Sequence, residues 1–278
     1  MARHVLLISC PDRKGLIHRI TGSVLGHGLN IVENDEFVDR ASVWFYMRTA
    51  LDGDVDAERL VEELREVLPD AAAVTLRETT PRRLVLYATR EPHCLGDLLL
   101  RHDSGELPAR VMAVVSQYDT LEPLAHRFGI PFHHVSAEEC SREEHEAALL
   151  RATEPYAPDY LVLAKYMRVL SPGFVDRFPN RILNIHHSFL PAFVGSNPYR
   201  QAFERGVKII GATAHFVNNE LDEGPIITQS VVPVSHRQDA AHMARSGRDI
   251  ERIVLARALN LVLEDRVMVV GRRTLVFE

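Results

Sequence analysis

Only three cysteines, Cys10, Cys94 and Cys140, stand in this 278-residue chain, and no two of them form a C-x-x-C pair. Their odd number and wide spacing argue against a disulfide framework and against a thiolate zinc site, which leaves reduced thiols in a reducing compartment. Basic charge is short as well: 32 lysines and arginines face 38 acidic residues, for a formal net charge of −6. Broad nucleic-acid binding needs a concentrated cationic face to release counterions, so none is expected. Neither a membrane class nor a disordered one is indicated, and repeats and low-complexity tracts are missing. The apolar run after Arg3 ends in the charged turn Asp12-Arg13-Lys14 without a small-residue cleavage site, so it does not read as a secretory signal and a cytoplasmic location is expected.

What is present is length enough for two domains, on a prior of about 150 residues each. Residues 4–10 read as a buried strand, followed by the turn Pro11-Asp12-Arg13-Lys14-Gly15 and a helix to His27 with Leu16, Ile20 and Val24 on one stripe. Paired strands over 29–38 and 42–50, a helix over 58–68 and a strand over 73–77 complete a βαββαβ order. The turn-prone cluster Thr79-Thr80-Pro81-Arg82-Arg83 marks a boundary, giving units 1–80 and 81–278. Beyond it, apolar strands near 84–88, 110–115, 132–135, 160–164 and 181–186 alternate with helical patterns, which predicts an α/β unit with a mostly parallel sheet. In such sheets ligands bind beyond the carboxyl ends of the strands.

One of those ends carries chemistry. In Arg181-Ile182-Leu183-Asn184-Ile185-His186-His187-Ser188, strand alternation puts Asn184 and His186 on one face, roughly 6–7 Å apart, and turns His187 to the other. Downstream, Asn218-Asn219-Glu220-Leu221-Asp222-Glu223-Gly224-Pro225 offers a carboxylate in a loop that a Gly-Pro break can turn back. Taken singly, His186 reads as a core histidine and Asp222 as a turn former. An amide donor, an imidazole and a carboxylate together are the parts of acyl chemistry.

These segments resemble the folate-dependent formyltransferase fold family, whose members use an Asn-x-His strand and a Leu-Asp-x-Gly-Pro loop around a formyl group. Leu163-Ala164-Lys165-Tyr166-Met167-Arg168-Val169-Leu170, His93-Cys94-Leu95-Gly96-Asp97-Leu98-Leu99 and Gly211-Ala212-Thr213-Ala214-His215-Phe216-Val217 extend the likeness. It is strongest to the hydrolytic, deformylase branch of that family. The first eighty residues resemble an ACT domain, on Asp12-Arg13-Lys14-Gly15-Leu16 and Gly28-Leu29-Asn30-Ile31. The resemblance implies a ferredoxin-like βαββαβ ACT domain followed by a Rossmann-like formyltransferase-fold domain. It also implies hydrolysis of 10-formyltetrahydrofolate to formate and tetrahydrofolate, feeding one-carbon and purine metabolism.

By the same resemblance Asn184, His186 and Asp222 are the catalytic groups, with Thr213, His215 and His187 supporting them. Tyr166, Met167, Arg168, Val169 and Leu170 would receive the folate, Arg168 meeting a carboxylate of its tail, and Cys94 and Asp97, which match the deformylase pattern, would also bind the substrate. Asp12, Gly15, Leu16, Asn30 and Ile31 would line an amino-acid site for an effector such as glycine or methionine, although Gly15 and Asn30 also suit plain turns. ACT-like sheets often pair between subunits, so a homo-oligomer is expected. Folate is the substrate, and neither a permanently bound cofactor nor a catalytic metal is expected, since His133-His134 lacks a third ligand at recognisable spacing. Family transferases with a phosphorylated amine acceptor carry a glycine-rich turn after their first strand. Thr89-Arg90-Glu91-Pro92-His93-Cys94 stands there instead, a poor phosphate cradle that favours water as acceptor over the formyltransferase alternative. Ser116-Gln117-Tyr118-Asp119 departs from the usual Ser-Asn-His of the family, and Ser196-Asn197-Pro198-Tyr199-Arg200 would form a rim.

Overall fold

Alternating burial along the first strand, β1 (Arg3–Pro11), drives Leu6, Ile8 and Cys10 into the first core. Gly15 takes a left-handed φ of 88° and opens helix α1 (Leu16–Gly26), which lays Leu16, Ile20 and Val24 on the same core. Ile17, beside that stripe, stays 43% exposed. Strands β2 (Asn30–Asp39) and β3 (Trp44–Asp52) pair antiparallel. Helix α2 (Ala57–Val67) starts where the Asp56 carboxylate accepts from the Arg59 amide, and β4 (Ala73–Glu78) completes the unit. The sheet runs β2-β3-β1-β4 with every pair antiparallel, the ferredoxin-like arrangement of βαββαβ. Leu60 and Leu64 of α2 are fully buried over it, each burial worth roughly 1.5–3 kcal/mol.

The computed structural model describes residues 2–191 and 198–278. Contacts divide the chain into Met1–Thr80 with Phe277–Glu278, and Pro81–Val276. The second unit begins with β5 (Arg82–Ala88), α3 (His93–Asp103), β6 (Ala109–Ser116), α4 (Glu122–Arg127), β7 (Phe132–His134) and α5 (Arg142–Thr153). It continues with β8 (Tyr160–Leu163), α6 (Pro172–Val175), β9 (Ile182–His186), α7 (Pro198–Arg205), β10 (Ile209–Phe216), β11 (Ile226–Pro233), α8 (Ala240–Leu263) and the hairpin β12 (Val267–Val270) and β13 (Arg273–Val276). The large sheet is ordered β11-β10-β9-β8-β5-β6-β7. From β9 to β7 it is parallel, and β10 and β11 add an antiparallel edge.

Both faces of the parallel strands are covered, which is why they read as continuous apolar runs rather than alternating ones. On β5, Leu84, Leu86 and Ala88 join one core with α3 and α8, while Val85 and Tyr87 join another with α5 and α6. Helix α8 is capped by the Asp239 carboxylate on the His242 amide at 2.8 Å. It buries Val254, Leu255, Ala258, Leu259 and Val262 at helical spacing, together with a fully buried acid, Glu251. Among the described residues no helix is long and apolar enough to cross a membrane.

Candidate active site

The strand that carries Asn184 and His186 ends at His186, as its sequence implies. β9 delivers Asn184 and His186 on one face, and the antiparallel neighbour β10 sets His215 opposite Asn184 and Thr213 opposite His186. Thr213 Oγ1 donates to Ser188 O at 2.9 Å and accepts from the Leu190 amide, so β10 pins the chain just beyond β9. A bulge between Ala214 and His215 breaks the pairing of β10 with β11, a device that re-aims side chains beside sites.

After β10 the chain turns back through 217–225, closed by Phe216 N donating to Pro225 O at 2.9 Å. A Cβ on Gly224 would lie 1.7 Å from Phe216 O, so no side chain fits there. Asp222 sits in the left-handed region at φ 56°, which aspartate tolerates better than most residues. The turn brings its Oδ2 to 3.2 Å from His186 Nδ1 and its Oδ1 to 3.7 Å from His215 Nε2.

Hydrogen-bond polarity then fixes the protons. His215 Nδ1 lies 2.8 Å from Phe216 O, and because a carbonyl only accepts, that nitrogen carries the proton. Its Nε2 can therefore accept from Asn184 Nδ2 at 3.2 Å. Among the described residues this leaves the second N–H of the Asn184 amide unused. His186 donates from Nδ1 to Asp222, and its buried Nε2 has no partner among the described residues. Burial alone would raise the Asp222 carboxyl, but the hydrogen bond from His186 and the nearness of the two imidazoles outweigh it and hold the group well below the usual carboxylate range.

These groups open on a cavity of about 390 Å³ lined by Asn184, His186, His187, His215, Asp222 and the segment Lys165–Leu170. Strand alternation predicts His187 on the far face. The strand stops at His186, however, and His187 lines the same cavity with its ring 4.9 Å from that of His186. Burial, with help from the nearby Lys165 charge, pushes His187 down to about 4. Met167, Val169 and Leu221 line the cavity while 56–60% exposed, apolar walls open to a ligand. Lys165 and Met167 take left-handed φ values of 63° and 59°, strain of the kind that gathers at binding segments.

Two anchors of this segment escape a sequence reading. Glu146 of α5 accepts from the Ser171 amide at 2.7 Å and from the Ser171 hydroxyl, and Arg142 donates to Val169 O at 3.0 Å. The residues at 117 and 118 that depart from the family pattern each hold an arginine: Gln117 Oε1 accepts from Arg168 at 3.1 Å, and the Tyr118 ring lies 3.8 Å under the Arg90 guanidinium.

Cys94 and Asp97, expected at the substrate, do not line this cavity. Cys94 is on the buried stripe of α3, its thiol pushed well up by burial, and Asp97 pairs with Arg101 one turn along the same helix. Among the described residues, His93, Cys94 and Glu251 bring three candidate metal donors within 4.8 Å of one another. The Lys165 ammonium, 3.2 Å from Glu251, supplies positive charge there. Ser196 and Asn197 of the expected rim lie outside the described residues, while Tyr199 and Arg200 belong to helix α7.

In the amino-terminal unit, Gly15 forms the left-handed turn into α1, Leu16 is a core residue, Asn30 is exposed at the start of β2 and Ile31 is half-buried. The Asp12 amide donates to Val43 O, tying that turn to β3's approach.

Comparison with known proteins follows the same division. Residues 82–259 match the formyl transferase family and residues 4–69 the ACT domain family. A formyltetrahydrofolate deformylase of Haemophilus influenzae is 52% identical, with 99% of each chain covered. The crystal structure of a formyltetrahydrofolate deformylase from Pseudomonas syringae superposes with a TM-score of 0.95 at 40% identity, covering 100% of this chain and 95% of that one. Glycinamide ribonucleotide transformylase 1 from Symbiobacterium toebii, at 36% identity and a TM-score of 0.68, covers 71% of this chain and 95% of its own. With full-length likeness to the deformylases and only partial cover by a transformylase, the chain belongs to the formyltetrahydrofolate deformylase family.

Proposed function

We infer that this chain hydrolyses 10-formyltetrahydrofolate to formate and tetrahydrofolate, and that His186 carries the proton. The observation that bears most weight is the combination of a buried His186 Nε2, unpartnered among the described residues, with an Nδ1 held on Asp222 at 3.2 Å. A carboxylate held far below its usual range is a weak base, so Asp222 orients the imidazole and stabilises its charged form rather than taking the proton itself. Neutral His186 accepts a proton from water at Nε2 as the water oxygen bonds to the formyl carbon. The carbonyl electrons move onto oxygen, where the free N–H of Asn184 donates to the oxyanion. Collapse breaks the C–N10 bond, and His186 returns its proton to N10. One well-aimed oxyanion donor is worth roughly 3–4 kcal/mol of barrier.

The exposed Met167, Val169 and Leu221 give the pterin apolar walls, the backbone of 166–170 offers donors and acceptors for its edge, and Arg168 meets a carboxylate of the glutamate tail. Folate enters as substrate, and the reaction as drawn uses water and side chains alone, with no resident cofactor. The amino-terminal unit takes an amino-acid effector, glycine or methionine, near the turn from Asp12 to Leu16 and the start of β2, in a cytoplasmic homo-oligomer. Titration of both amino acids against rate and assembly tests this, and no response in either speaks against it. The activity itself is tested by incubating purified protein with 10-formyltetrahydrofolate and no amine. Formate and tetrahydrofolate in equal amounts are expected, whereas formyl loss only on adding an amine makes the protein a transferase.

A further inference from the structure

The proposed hydrolysis leaves one polar cluster unused. In the large sheet the strand order reverses between β5 and β8, because β5 is followed on one side by β6 and on the other by β8. The crevice beyond the carboxyl ends of two such strands is where doubly wound folds hold a ligand. Here it is closed. Thr89, next after β5, donates from Oγ1 to Lys165 O at 2.7 Å, just past β8. The Lys165 ammonium lies 3.2 Å from Glu251 of α8, and Glu251 also receives His93 Nε2 at 2.7 Å and the hydroxyl of Tyr199 from α7. Glu251 is fully buried and Lys165 is 4% exposed. Tyr199 packs so closely on α8 that a Cβ on Gly247 would lie 2.1 Å from its ring.

Lys165 is the join between this cluster and the catalytic cavity, which it lines with His186 and His187, whereas Glu251, His93 and Tyr199 do not line it. The His187 ring lies 6.3 Å from that of Tyr199 and 4.9 Å from that of His186. A buried ion pair is a weak source of stability, since apolar residues of the same volume commonly do as well. Three groups, from α3, α7 and the segment after β8, that satisfy one carboxylate of α8 instead make a rigid plug with fixed shape.

We propose that the Lys165–Glu251–His93–Tyr199 cluster determines acceptor specificity: it fills the crevice a primary amine would need, so that water alone reaches the formyl carbon. This rests on the hydrolytic reading above. With water, the C–N10 bond breaks, a C–O bond forms, and N10 gains the proton. With an amine admitted, a C–N bond forms to the new nitrogen, which loses a proton to His186, and N10 again gains one. Both products leave tetrahydrofolate, and no other reactant is needed.

The test reads the ratio of formylated amine to formate from 10-formyltetrahydrofolate in the presence of methylamine or glycinamide. Wild-type protein is expected to give formate alone at every amine concentration, and formylated amine from the wild type overturns the proposal. In Lys165→Gly/Glu251→Gln the two charges go together, and glycine suits the left-handed backbone at 165. The ratio is expected to rise at least tenfold above the wild-type limit, and an unchanged ratio in the folded variant overturns the proposal. Tyr199→Ala opens the crevice from α7 and is read the same way. Lys165→Met/Glu251→Leu, which refills the volume without charge, is expected to keep the wild-type ratio, and a tenfold rise there shows that charge rather than filling excludes the amine, against the proposal. Failure of the hydrolytic reading shows separately, as no formate from the wild type in amine-free buffer.

Discussion

At the residue scale, the proposed mechanism gives Asn184 and Asp222 different jobs, and their variants are expected to fail differently. Asn184→Ala removes one oxyanion donor and leaves the folate walls in place, so kcat is expected to fall by about 10²–10³ with little change in KM. A steady-state measurement of formate release checks this, and a rise in KM at constant kcat speaks for a binding role instead. Asp222→Asn keeps the shape but takes away the charge that faces His186 Nδ1 at 3.2 Å, and is expected to cost kcat about 10²-fold or more. Because the folded Asp222 carboxyl lies below its ordinary range, its stabilising effect is present above the unfolded carboxylate range near pH 4 and is lost only as pH falls through the folded value. The variant is therefore expected to show a flatter acid arm in thermal melts below about pH 4. The pairing of Asn184 with His186 was legible because period-two alternation is local geometry. The partnership of Lys165 with Glu251 was not, since the two lie 86 positions apart and only packing of α8 over the strand ends brings them together.

At the scale of elements, the loop after β10 carries the carboxylate, and its geometry depends on Gly224. Gly224→Ala puts a methyl against Phe216 O, so the turn must shift and Asp222 with it. Activity is expected to drop at least tenfold while the melting temperature falls by the few degrees that a local overpacking of about 1–3 kcal/mol brings. Helix α5 acts on the cavity-lining segment 165–170 through Glu146, which holds Ser171. Glu146→Gln is expected to raise KM several-fold with kcat nearly kept, as isothermal titration with folate can verify. Element types and order were legible because capping groups and turns punctuate the periodic stretches. Asp56 and Asp239 each accept from an amide in the first turn of their helix. The side of His187 was misjudged for an equally physical reason, because alternation lapses where β9 ends. The role of α5 stayed hidden, as its run of acids and arginines reads as a solvated face until Glu146 is seen 9% exposed against Ser171.

At the scale of the whole molecule, an ACT unit and a formyl transferase unit are joined in one chain. Stability in acid is set in part by His187. Its pKa is lowered from 6.5 to about 4 in the folded state, so between those values the unfolded chain binds a proton that the folded one does not. Stability is expected to be complete above pH 6.5 and to decline as pH falls towards 4, and His187→Asn is expected to flatten that stretch of the melting-temperature profile. A composition without a basic excess and with three scattered cysteines narrows the class of protein but names no reaction. The reaction was legible from short motifs, and the fold explains them by gathering β9, β10 and the loop to Asp222 around one cavity.

Convergence of an amide, an imidazole and a carboxylate on one formyl carbon, with solvent as the nucleophile, is tested most directly by turnover of 10-formyltetrahydrofolate in ¹⁸O-enriched water without any amine. Formate carrying one solvent oxygen, made in equal amount with tetrahydrofolate and suppressed about 10²–10³-fold by Asn184→Ala, is the expected result. Unlabelled formate, or formate that appears only once an amine is supplied, would contradict it.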